Sequence, residues 1–317
     1  MISIKICKGG KGSGHFQHAG RKGQVGGSVP DKGASISKFT PGSAPTEEES
    51  NYPEANADLL HYFGWGFKDI KSEILGEVQQ KVVDSQLDSK NKTLALRNMN
   101  DYYEQSDRFL KAQTVAYLAA DTNIEYNGVN DIIANWALSS NDTNIDSLRS
   151  QQAVDEEFGL DVELSDWQKK QLKMIGSYDG QLSIDERRDI IRSMYERTQK
   201  ELSDAGYKPE DSVILYRGLQ HDDFFGKKGD IAEYKGNAME SWTFDYDTAI
   251  KFANGSLEEG GSFGYVLEMK VPIRNILSTP RTGYGCYDEA EVVIFGSIPG
   301  HRVRISKVYA FEEAYND

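Results

Sequence analysis

Cysteine is scarce in this 317-residue chain, with only Cys7 and Cys286 present. Two thiols so far apart build neither a disulfide framework nor a zinc site, and a reducing compartment suits such a chain. No run of 18 apolar residues occurs, so no membrane span and no membrane partner are expected. The opening stretch from Met1 to Gly14 has no apolar core long enough for a secretion signal. Positive charge is also short: 36 Lys and Arg stand against 50 Asp and Glu, for a net charge of -14. A body that acidic repels phosphate backbones, so nucleic acid is not an expected partner.

What is present is unevenly spread. Residues 1–46 hold seven basic side chains and one acidic one, which leaves -20 on the remainder. This reads as a basic tail on an acidic globule. The tail either meets nucleic acid or is simply solvated. Gly, Ser, Pro and Lys dominate it, and such a stretch buries too little apolar surface to offset its chain entropy. Residues 1–53 are therefore expected to be a flexible basic tail.

Residues 54–206 read as a helical region. Leu59, Phe63, Phe67, Ile70, Ile74 and Val78 recur at three- and four-residue steps and so share a face. A second helix is expected from Arg108 to Ala120, with Phe109, Val115 and Leu118 inward. A third runs from Val129 to Leu138, with Ile132, Ile133 and Trp136. Ser165 can cap a helix through Trp167, Leu172 and Ile175. Ser183 and Glu186 form a capping-box pattern opening a helix to Leu202, and Gly206 is a stop signal.

Residues 207–317 read as a separate unit, in which the pattern changes to short strands from residue 211. Ser212–Tyr216 is one. Tyr265, Leu267, Met269 and Val271 alternate with Val266, Glu268 and Lys270, a period of two. Glu291–Phe295 is an apolar strand, and Val303 and Ile305 alternate with Arg302, Arg304 and Ser306. The fold class is α+β: helices first, then a mixed, β-rich unit.

Three pieces in this last segment carry chemistry. Arg217-Gly218 ends a strand. Ser241 and Thr243 lie in Glu240-Ser-Trp-Thr243, ahead of a helix-like Tyr246–Ala253. Glu289 and Glu291 flank Ala290 at the start of an apolar strand. The ordered set resembles the Arg–Ser–Glu class of mono-ADP-ribosyltransferases over roughly 100 residues. The resemblance implies that fold, NAD as co-substrate, no metal, and transfer of ADP-ribose to a host protein on arginine. The chemistry agrees with the residue types. Breaking the nicotinamide–ribose bond passes through an oxocarbenium-like state, which a fixed carboxylate stabilises.

On that resemblance Glu291 is the catalytic carboxylate and Glu289 eases a proton from the incoming guanidinium. Alternate strand residues point the same way, which lets both face one site. Ser241 is expected to fix the Glu291 rotamer. Arg217 offers a planar, permanently charged donor array for the NAD diphosphate or ribose. Gly218 is expected to let the backbone approach the ligand, and Thr243 to hold the strand and the ligand. The glycine-rich stretch Asn254–Gly264 would fold over the nicotinamide, with Phe263 stacking on it. Residues 281–288 would select the target protein through Tyr284 and Tyr287.

A second resemblance covers fewer than twenty residues. Ser13–Ser28, with His15, His18, Arg21 and Lys22 among glycines, is similar to a motif of phage virion-associated proteins, although those usually carry Pro where Lys22 stands. It implies a phage protein, with virion contact through residues 1–50 and delivery into the bacterial host cytoplasm. His61, His221 and His301 are isolated and read as structural or surface residues. Two competing functions stay open: an NAD glycohydrolase, in which water takes the ribosyl group, and a non-catalytic virion-associated binding protein.

Overall fold

The structure, a computed structural model, describes residues 35–40, 67–138, 145–162, 164–175, 182–221, 224, 226–254, 263–296 and 302–310. The expectations for most of the tail, for His61 and His301, and for residues 255–262 fall outside these.

Helices come first, as expected: α1 (Phe67–Asp84), α2 (Ser89–Asp101), α3 (Ser106–Thr122), α4 (Tyr126–Leu138), α5 (Ile145–Phe158), α6 (Asp166–Ile175) and α7 (Ile184–Asp204). Ile74 and Val78 of α1 and Ile132, Ile133 and Trp136 of α4 are buried on the faces their spacing marked. The central helix α3 is buried almost all round from Phe109 to Ala120. The capping box forms at α7: Ser183 Oγ accepts the Glu186 amide at 3.2 Å, and the Glu186 carboxylate accepts the Ser183 amide at 2.8 Å. Such a cap contributes about 1 kcal/mol. Gly206 ends the helix at φ +93°, with its amide on the Ser203 carbonyl and that of Tyr207 on Leu202. This is a Schellman closure, which needs a residue at ease in the left-handed region.

Helices α2 and α5 were not legible. The inward positions of α2 are Asn91, Ala95, Asn98 and Met99, and those of α5 include Ser147, Ser150 and Gln151. Polar side chains occupy the faces where apolar ones would have given the period. Several have partners there: Asn91 accepts the Tyr126 amide, Ser150 meets Arg187 and Tyr284, and Gln151 bonds both backbone groups of Met239.

An antiparallel sheet follows, built from β1 (Ser35–Thr40), β2 (Ser212–His221), β3 (Ile231–Lys235), β4 (Met239–Thr243), β5 (Phe263–Pro272), β6 (Ile276–Ser278), β7 (Glu291–Phe295) and β8 (Arg302–Ala310). Helix α8 (Tyr246–Ala253) interrupts it. The strand order is β1-β3-β8-β5-β2-β4-β7-β6. Strand β1 is a piece of local order within residues 1–53: it pairs antiparallel with β3, from Ser35 opposite Lys235 to Thr40 opposite Ile231. The open edge of β3 supplies the partners that the tail lacks by itself. No helix among the described residues is long and apolar enough to cross a membrane.

Alternate residues of β4 and β7 enter two different cores. Met239, Val293 and Phe295 join Val78, Phe109, Val115, Ile133, Ile191 and Met194 of the helices. Trp242, Val292 and Ile294 join Val213, Leu215, Leu267, Met269, Val303 and Ile305 of the other strands. The boundary expected at 206/207 therefore separates types of element but not hydrophobic cores. The helical region packs against Met239, Val293 and Phe295, on the face of β4 and β7 that also carries Ser241 and Glu291.

Candidate active site

Strands β2 and β4 meet at one registered pair, Tyr216 opposite Thr243. Strands β4 and β7 then pair over five positions, including Ser241 with Val293 and Thr243 with Glu291. Antiparallel partners share a face, and residues two apart share it too. Ser241, Thr243 and Glu291 therefore stand together on the face turned to the helices.

The Ser241 hydroxyl donates a short hydrogen bond to Glu291 Oε1. The same oxygen accepts the indole N–H of Trp136 at 3.2 Å. Glu291 is 8% exposed and Trp136 3%. A buried carboxylate is costly unless donors satisfy it, and here two converge on one oxygen.

Glu289 reaches this place by a different route from the one expected. Tyr287–Glu289 is a turn of 3-10 helix, and Ala290 sits in the left-handed region at φ +46°. Glu289 is thus not on the strand, and strand alternation does not orient it. The turn is held from both sides. The Cys286 carbonyl takes the amides of Glu289 at 3.3 Å and Glu291 at 3.1 Å. The Thr243 hydroxyl donates to the Glu289 carbonyl at 2.7 Å and accepts the Asp245 amide at 2.9 Å. Thr243, expected to hold the strand and the ligand, locks this turn at the start of β7. Burial, then the charge of Glu291, then that of Asp288, push the Glu289 carboxyl up to about 7. A carboxyl in that range can take up and give back a proton near neutrality.

Arg217 and Gly218 do other work than expected. Arg217 stands on the opposite face of the β2–β4 junction, where its Nη1 lies 3.3 Å from Oε1 of the buried Glu240. Glu240 Oε2 in turn lies 3.5 Å from the Trp242 indole nitrogen. The guanidinium that was expected to meet NAD is paired with a carboxylate of the chain itself. At Gly218 an added Cβ would come within 2.0 Å of the Ala249 carbonyl oxygen and 2.6 Å of the Ala253 nitrogen. The close approach that requires glycine here is that of α8. Asp245 caps α8 through the amides of Asp247 and Thr248, at 3.1 and 3.2 Å.

Phe263 is the first residue of β5, not a loop residue, and pairs with His221. That is four positions along β2 from Arg217, or roughly 13 Å at the usual strand rise. Its ring packs edge-on against Phe224 at 5.4 Å, so the stacking role has no support in its position.

Tyr284 is also misplaced for its expected role. It is fully buried, with its hydroxyl on Ser150 Oγ at 2.9 Å and its ring 5.1 Å from that of Trp136. Residues 279–286 are all buried. The Arg281 carbonyl accepts Gln113 Nε2 at 3.1 Å and Thr114 Oγ1 at 2.9 Å, and the Thr282 hydroxyl meets that of Thr198 at 2.7 Å. A segment so tied into the helices cannot present Tyr284 to another protein. Tyr287, partly buried on the turn beside Glu289, keeps a position from which it can.

Sequence reasoning missed Trp136 and Glu240 as site residues. Trp136 was legible only as an inward helix position, and nothing in a linear pattern links it to a carboxylate 155 residues away. Glu240 did leave a signal: it is charged yet shares its strand parity with Trp242, on a face that must be buried. No group of three or more His, Cys, Asp or Glu among the described residues is placed to hold a metal ion. Comparison with protein-family models, curated proteins and solved structures finds no match to this chain.

Proposed function

We propose that the protein is an NAD-dependent mono-ADP-ribosyltransferase that modifies a host protein on arginine. The observation that carries the reading is the pair of glutamates with unlike environments. Glu291 is buried and accepts the Ser241 hydroxyl, while burial pushes the carboxyl of Glu289, two residues earlier, up to about 7. Two neighbouring carboxyls in such unlike environments suit separate acid–base and electrostatic roles.

Glu291, held through Oε1, would meet a ribose hydroxyl with its other oxygen and stabilise positive charge as the bond from C1′ to nicotinamide breaks. Nicotinamide leaves with the bonding pair. The acceptor guanidine nitrogen forms the new bond to C1′, and Glu289 in its ionised form takes the proton released. The residues gathered here serve the ribose end and the acceptor. Arg217 serves the frame, through Glu240.

Incubation with labelled NAD and a bacterial lysate tests the reading, with Glu291→Gln as control. Labelled protein bands that vanish in the variant are expected. Nicotinamide release without labelled protein would make the protein an NAD glycohydrolase. No NAD consumption by the folded wild type would leave only a binding role.

A further inference from the structure

We infer that Trp136 is a positioning residue for the catalytic carboxylate, supplied to the site by the helical region. The inference rests on the transferase reading above. An indole nitrogen is a donor only. Its N–H therefore holds Glu291 through one oxygen, Oε1, which the Ser241 hydroxyl also holds. Two donors from different elements, β4 and α4, fix both the rotamer and the plane of the carboxylate. Among the described contacts Oε2 receives none, which leaves it for the ribose.

The indole is itself immobilised. Its ring lies 5.1 Å from that of Tyr284, and the Tyr284 hydroxyl bonds to Ser150 on α5 at 2.9 Å. Arg187 on α7 donates to Ser150 at 3.3 Å and to Asp146 Oδ1 at 2.7 Å. Asp146 Oδ2 accepts Asn135 Nδ2 at 2.6 Å, and Asn135 is the neighbour of Trp136 on α4. The network closes on the helix that carries the indole. Three helices and the buried segment before β7 thus converge on one donor, as a support shell for a catalytic group should. A tryptophan needed only for bulk would have no use for an N–H aimed at a carboxylate.

Two measurements decide the matter. The chain has four tryptophans, so a nitrogen-15 spectrum holds four indole signals, of which Trp136→Phe removes one. In Glu291→Gln that signal is expected to move far more than the other three, because its acceptor loses its charge. Four unmoved signals would overturn the contact, and this result does not depend on Trp136→Phe folding. In steady state, Trp136→Phe is expected to lower kcat about tenfold while leaving KM for NAD nearly unchanged, the mark of support felt in the transition state. Unchanged kcat would overturn the positioning role. So would a loss of kcat explained entirely by a lower folded fraction. A wild type that consumes no NAD would instead remove the transferase reading itself, which is a different failure.

Discussion

Arg217 and Ser241 leave the β2–β4 junction on opposite faces. The single registered pair, Tyr216 with Thr243, fixes this, because Ser241 follows the parity of Thr243 while Arg217 breaks that of Tyr216. Arg217 is consequently the partner of Glu240, and two residues that read as one motif act in different layers.

Removal of the Arg217 charge leaves Glu240 buried and uncompensated, which typically costs about 3 kcal/mol or more. Arg217→Ala should therefore lower stability in chemical denaturation, and adding Glu240→Gln should recover much of the loss. A stable Arg217→Ala protein with weakened NAD binding would return the guanidinium to the ligand.

Gly218→Ala places a Cβ against the backbone of α8. Backbone cannot step aside as a flexible side chain can, so overpacking of about 1–3 kcal/mol is expected. Thermal unfolding should show a lower midpoint, while KM for NAD in the folded fraction stays as in the wild type. A raised KM at unchanged stability would restore the ligand-binding role.

Glu289 is protonated in the folded protein up to about pH 7, against an ordinary value of 4.5. The folded state thus binds the proton more tightly than the unfolded one. This contribution to stability is full below about pH 4.5 and is lost as pH rises to about 7. Glu289→Gln should raise the melting temperature relative to wild type at about pH 8, and less so at about pH 4. The proposed transfer runs the other way. Only ionised Glu289 can accept a proton, so arginine transfer should climb with pH through about 7. In Glu289→Gln transfer should fall while NAD hydrolysis persists. A flat transfer profile from about pH 6 to 8 would remove Glu289 as the base.

The sequence alone determined the parts of this protein that depend on neighbours in the chain. The helical faces of α1 and α4, the capping box at Ser183, the Gly206 stop and the period-two strands follow from local sterics and from the need to bury one side of each element. The contact of Ser241 with Glu291 was expected through the family resemblance, not from the pattern of either strand. Tertiary structure decided which partner each remaining group meets. It gave Arg217 to Glu240, set Gly218 under α8, sank Tyr284 among the helices and brought the Trp136 indole to Glu291. These pairings join residues far apart in the chain, or across a face that strand parity alone does not choose. They are fixed only when burial forces each polar group to find a donor or acceptor in the space that packing leaves.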